Sequence, residues 1–246
     1  MISGNSLYAA VSAFCMPLPQ NQIKHFKEEA YMRTKKLVVS AMLIAVAAVL
    51  SIFQPFQLPF GGGITIASMM PIVLIAYCYG TRWGLLSALI FSLVQLLLGM
   101  KTVTAFFLPG DSQMLVWQAL CVCLLDYIAA YTVLGFGGIF KGKIKNDAAA
   151  ICVGSVFALF LRYIVHIISG AIFFGAWAEW FFTQEGFYAI GAKIMAHCSG
   201  GMLALIYSIF YNGTYMIPEI IITAILTPIV YKALSAANLI DTQSVN

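Results

Sequence analysis

The sequence predicts an all-α integral membrane protein of six transmembrane helices with both termini cytoplasmic, and three observations carry that prediction. Apolar residues make up 62% of the 246-residue chain and charged residues only 9%, whereas about a quarter of the residues of a soluble domain carry charge. Mean hydropathy is +0.94. The stretch from Leu37 to Thr81 holds no Asp, Glu, Lys, Arg or His, well beyond the roughly 20 apolar residues that one spanning helix needs, so at least two spans lie inside it. The apolar runs are continuous and lack two-residue alternation, which disfavours a β-barrel. The same composition excludes a nucleic-acid binder in spite of the +4 balance.

Apolar runs punctuated by Gly, Pro and charge place the helices at about 36–54, 64–80, 83–100, 113–140, 147–176 and 201–233. Arg33, Lys35 and Lys36 precede the first, and its Ala41, Ala45 and Ala48 form a small-residue stripe of the kind that lets helices approach closely in lipid. The second and third are joined by a tight turn at Arg82. The last three exceed the length of a span, so each carries an interfacial or kinked end, with Pro218 and Pro228 marking kinks in the sixth. Lys141, Lys143 and Lys145 fill the fourth connection and Lys232 closes the sixth helix. These basic sites share one side, the cytoplasmic one by the positive-inside rule. Lys101, Asp111, Glu179, Glu185 and Lys193 form a sparse, mixed set on the other.

Residues 1–31 fit less well. Leu7 to Phe14 is too short to span and has no basic stretch before it, whereas Met32 followed by Arg-Thr-Lys-Lys reads as a natural start. Residues 1–31 are therefore expected to be a disordered or over-extended segment, 32–234 the six-helix membrane domain, and 235–246 a cytoplasmic tail. The six Cys are scattered through apolar segments. Only Cys121 and Cys123 lie close together, and residues two apart on a helix face different sides, so they read as small apolar fillers rather than a metal site.

Asp126, Arg162, His166 and Glu219 are the polar groups that lipid would reject, at about 2.5–3.5 kcal/mol for a charge at the bilayer centre. Arg162, His166 and Gly170, spaced by four, make a stripe on one face of the fifth helix, with Ser169 beside Gly170. Asp126 sits beside Tyr127 on the fourth helix, and Tyr207, Tyr211, Asn212 and Tyr215 open the sixth. An acid, an imidazole, a carboxamide and several aromatic faces suit a flat heteroaromatic ligand with hydrogen-bonding edges. A cationic one would add cation–π attraction of about 0.5–2 kcal/mol per ring. For any one of these residues, a structural ion pair or an interfacial position is an equally good reading. Trp177, Trp180, Phe181 and Phe182 read first as an interfacial aromatic belt and second as a lid over the site, and His197 as a solvated loop residue. The sequence contains no Walker A loop, HExxH, GxSxG or Asp-x-x-Asp motif and no evident inverted repeat. That favours a binder that borrows its energy elsewhere over a small membrane enzyme using His166 and Asp126 as a base and its orienter.

The chain resembles the substrate-binding S components of energy-coupling factor (ECF) vitamin importers, and within them the thiamine-specific ThiT/YuaJ family. The resemblance runs from Met32 to Leu234. It is carried by Ala41 and Ala45, by Leu-Pro-Phe-Gly-Gly-Gly-Ile-Thr (58–65) with Met-Met-Pro-Ile (69–72), and more specifically by Leu-Leu-Asp-Tyr (124–127), Leu-Arg-Tyr-Ile-Val-His-Ile-Ile-Ser-Gly (161–170) and Tyr-Ser-Ile-Phe-Tyr-Asn-Gly-Thr-Tyr (207–215). It implies a six-helix, S-component-like bundle in the bacterial cell membrane, with a thiamine pocket that opens outward. Transport would require a transmembrane coupling protein and two ATPase subunits, docked on the first helix through Ala41 and Ala45. It places the acidic ligand contact on Asp126, where the family usually has Glu, followed by Tyr127. It places further contacts on Arg162 (often Lys), His166 and Gly170, a stacking aromatic on Phe174 (which can be Trp), and the rest of the pocket on Tyr207, Asn212 and Phe60. Thiamine is the implied ligand, with no cofactor or metal and no enzymatic activity; another vitamin or a hydroxymethylpyrimidine precursor is the alternative.

Overall fold

The computed structural model describes residues 20–58 and 62–240. The chain divides into two compact units, Met1–Val39 and Ser40–Asn246. Helix α1, Gln20–Ile52, begins in the first. Its polar opening turns carry exposed pairs Lys24–Glu28, His25–Glu29 and Arg33–Glu29 at 4.0, 3.7 and 3.9 Å, each worth a few tenths of a kcal/mol at about this spacing. Residues 20–31, the described part of the segment expected to be disordered or over-extended, are helical. The reason is local: no Gly or Pro interrupts the chain from Gln20 to Ile52. Ala41 and Ala45 are exposed on it, in line with Val38, Met42 and Val49.

In the second unit a short antiparallel hairpin, β1 (Phe56–Gln57) and β2 (Gly63–Ile64), pairs Phe56 with Ile64. Helix α2 follows at Met70–Tyr79. The sequence placed its start near residue 64. Pro71, at the first turn of the helix where a missing N–H costs nothing, sets the observed start instead. Residues 65–69 are non-helical, and Thr65, Ala67, Ser68 and Met69 are all buried. Irregular backbone at membrane depth is tolerated only where protein covers it.

Helix α3 spans Thr81–Leu98 and α4 Met100–Phe107. They part at Gly99, where an added Cβ would meet the Tyr127 ring at 2.5 Å. Helix α5, Val116–Gly138, is not a uniform α-helix: Cys123–Ala129 is π-helical and Val133–Gly138 is 3-10. Helix α6 runs Asp147–Phe173 with the Asn146 side chain accepting from the Ala149 N–H at 3.2 Å. After it come the short α7 (Ala178–Phe182), α8 (Tyr188–His197) and the long α9 (Gly200–Ala236), which holds Pro218 and Pro228 inside its length. Among the described residues, five helices are long and apolar enough to cross a membrane: α1, α3, α5, α6 and α9; α2 is a shorter apolar helix.

The core forms around α2. Pro71 to Tyr79 are all buried, as expected of a helix apolar on every face, and α3, α6, α9 and the 3-10 end of α5 surround it. Glycine brings the backbones close: a Cβ at Gly138 would strike the Ala76 carbonyl, and one at Gly154 the Gly137 carbonyl. Close approach of this kind replaces the hydrophobic effect as the means of joining helices in lipid. The most extensive seam joins α6 to α9, stitched by Tyr163 Oη donating to Ile209 O at 2.7 Å and Ser208 Oγ donating to Ile167 O at 2.8 Å.

Candidate functional site: a buried polar cluster between α5, α6 and α9

The π-helical segment of α5 carries Asp126, in a conformation often found at functional sites. Its carboxylate faces α6, where Oδ1 lies 2.8 Å from His166 Nδ1 and Oδ2 accepts from Ser169 Oγ at 2.7 Å. The carboxylate thereby fixes the imidazole, leaving Nε2 buried and without a partner. The His166 ring meets Tyr215 of α9 edge-on at 5.9 Å. Tyr215 Oη donates to Asn212 Oδ1 at 2.7 Å, and Asn212 Nδ2 donates to His166 O at 3.2 Å and Ser208 O at 2.9 Å. Gly170 makes this junction feasible, because a Cβ there would strike Ser208 Oγ.

One turn along α6, Arg162 is 7% exposed. Its guanidinium lies 4.2 Å from the centroid of the Tyr131 ring, and Nη1 points at Met69 Sδ. Its Nε has no partner. Glu219, 1% exposed on α9, accepts from the Thr65 hydroxyl at 2.6 Å and from the Thr65 N–H through Oε1. Its Oε2 is unpartnered. Arg162 shares a face of α6 with His166, and Arg162 and Glu219 both reach the segment before α2, so the side chains form one buried polar cluster. The segment before α2 closes it, with Gly62, at φ 84°, lying against the Tyr215 ring.

Of the residues expected at the site, Asp126, Arg162, His166, Gly170 and Asn212 are brought together. Tyr127 turns to the α3–α4 corner at Gly99. Phe174 packs edge-on to Phe106 at 6.0 Å. Tyr207 packs edge-on to Phe181 and tilted against Tyr211, both at 5.5 Å. Phe60 lies outside the described residues. Phe181 and Phe182 are core rather than belt: they are 5% and 0% exposed, and α7 folds inward so that their rings pack on Tyr207, Tyr211 and Phe210. Trp180, at 38%, stays at the surface. Thr65, Ser68, Met69 and Tyr131 were not singled out as site residues from the sequence. The available signal for two of them was a pair of hydroxyls, Thr65 and Ser68, in a stretch otherwise free of charge. A cavity of about 440 Å³ elsewhere, bordered by Lys101, Pro109 and Asp111 beside α4, is open and separate from these residues.

Apolar spans wrapped around a buried polar cluster define a multi-pass helical membrane protein. Residues 37–182 match the Thia_YuaJ family, described as thiamine transporter protein. The chain is 32% identical over 201 residues to the thiamine transporter ThiT of Bacillus subtilis (strain 168), an alignment that covers 77% of this chain and 86% of that one. It therefore belongs to the thiamine transporter family. The fold is also that of a solved structure of ThiT from Listeria monocytogenes, at TM-score 0.57 and 22% identity over 85% of this chain and 98% of that one.

Proposed function

We propose that the protein binds thiamine as the substrate-binding subunit of an ECF-type importer, capturing the vitamin on the outer side. Release inward would follow docking to a transmembrane coupling protein driven by two ATPase subunits. The observation that carries this reading is the Asp126–His166 pair: a carboxylate holds an imidazole whose second nitrogen is buried and free to meet a ligand. Nearly all buried polar atoms are paired, so an unpaired one among further unpaired groups marks a place for a hydrogen-bonding guest. Thiamine combines a hydrogen-bonding aminopyrimidine with a cationic ring. Asp126 supplies a counter-charge where low dielectric strengthens it, and the Tyr215 ring beside His166 adds aromatic surface. Membership of a transporter family favours this over enzymatic use of the same pair.

In this reading residues 32–234 form the binding domain, both termini face the cytoplasm, and 235–246 is a tail. Tyr127, Phe174, Tyr207 and Phe60 complete the pocket as the ligand-bound state requires. The exposed Ala41 and Ala45 of α1 offer a flat face for the coupling protein. Titration of purified protein by Trp fluorescence, with thiamine and hydroxymethylpyrimidine in competition, tests the ligand; thiamine is expected to bind far more tightly, and preference for the precursor would replace it as substrate. Ala41→Trp or Ala45→Trp is expected to abolish uptake in cells that hold the partner module and to spare binding. Equal loss of both would contradict the docking role.

A further inference from the structure

Between Ser40 and Ile52, helix α1 has two unlike faces. Ala47 and Ser51 lie within about 20° of Ser40 around the helix, and all three are buried. Ala41 and Ala45 lie about 100–140° away from Ser40 and are exposed, as are Met42 and Val49. A buried face of such small side chains is smooth. In lipid it is held by van der Waals packing rather than by the hydrophobic effect, so packing alone tolerates more than one rotation of the helix.

A directional bond removes that freedom. Trp83 Nε1, in the first turn of α3, donates to Ser40 Oγ at 2.9 Å. Ser51, the other buried hydroxyl of that face, instead donates back into its own helix, to Ala48 O at 2.7 Å. The α3 end of the bond is firmly seated: Gly84, next to Trp83, packs so closely on α2 that an added Cβ would meet Ala76 Cβ at 2.5 Å. We propose that the Trp83–Ser40 hydrogen bond sets the rotation of α1 and so aims Ala41 and Ala45 at the coupling protein, which makes Ser40 and Trp83 positioning residues for docking. One residue along a helix is about 100° of turn, so holding Ser40 against α3 fixes where Ala41 and, one turn later, Ala45 point. The inference rests on the docking role proposed above for those two alanines and adds what orients them.

Three quantities test it: thiamine uptake by cells that hold the partner module, the amount of complex recovered with that module in detergent, and thiamine affinity of the purified protein by calorimetry. Ser40→Ala removes the acceptor and Trp83→Phe the donor. Each is expected to lower uptake and recovered complex at least fivefold and to leave affinity within about twofold of wild type. Because both remove one shared bond, the double variant should be no worse than the weaker single one. Ser40→Ala, the smaller change, carries the test should Trp83→Phe fail to fold. Wild-type uptake in Ser40→Ala, an affinity that falls as far as uptake does, or losses that multiply in the double variant would each overturn the inference. Ala41→Trp tells this apart from the docking role itself: if it abolishes uptake while Ser40→Ala does not, only the positioning role is lost, and if it leaves uptake intact, both are.

Discussion

Among the described residues, the polar cluster around Asp147 and the one around Asp126 are satisfied differently. At one end of the bundle Asp147, in the first turn of α6, accepts from Tyr77 Oη of α2 at 2.8 Å and from Tyr231 Oη of α9 at 3.5 Å. The two phenol rings meet edge-on at 5.2 Å, and Lys141 Nζ, over the Tyr77 ring, donates to the Cys78 carbonyl at 3.0 Å. There the carboxylate has a phenol on each oxygen, and three helices are tied together. In the cluster around Asp126 the count does not close: His166 Nε2, Arg162 Nε and Glu219 Oε2 are all left over. Unpaired buried groups cost about 1–3 kcal/mol each, so a fold keeps them where a partner arrives from outside. One cluster is closed by its own partners; the other keeps hydrogen-bonding capacity that, in the function proposed above, a ligand takes up.

Substitutions at the two clusters should therefore separate affinity from stability. The largest effect falls on binding: Asp126→Ala or His166→Ala is expected to lower thiamine affinity at least tenfold, about 1.4 kcal/mol. Fluorescence titration measures it, and unchanged affinity in both proteins would take these residues out of the site. Asp147→Ala should cost about 1 kcal/mol of stability through lost hydrogen bonds, seen as an earlier thermal melt in detergent, with thiamine affinity within about twofold of wild type. If affinity fell there as far as in His166→Ala, the distinction between the clusters would be broken. Tyr231→Phe removes only the longer bond and should shift the melt less, by about 0.5 kcal/mol, again without touching affinity.

The long spans were legible because lipid demands continuous apolar runs, and α3, α6 and α9 begin and end within a few residues of where charge, Gly and Asn place them. The stripe Arg162–His166–Gly170 was legible too, since helical spacing alone puts it on one face. What sequence could not supply was depth and partner. Thr65 and Met69 belong to a segment whose hydropathy looks helical; Pro71 and a buried Thr65–Ser68 hydroxyl contact at 2.7 Å fold it otherwise. The π-helical turn under Asp126 has no hydrophobic signature, because one extra residue per turn leaves composition unchanged. Glu219 was visible as an anomaly, but its meaning depends on Thr65, 154 positions away.

The shortness of α2 bears on how the chain enters the membrane. Ten residues rise ~15 Å, about half of what a bilayer requires of an independent span, and no face of α2 is left for lipid. A nascent segment of this kind cannot be retained by lipid on its own. Gly80, at φ 88°, turns it directly into α3, so the two are expected to insert as one hairpin, with α3 supplying the hydrophobic length and the neighbouring helices, rather than lipid, holding α2 in place.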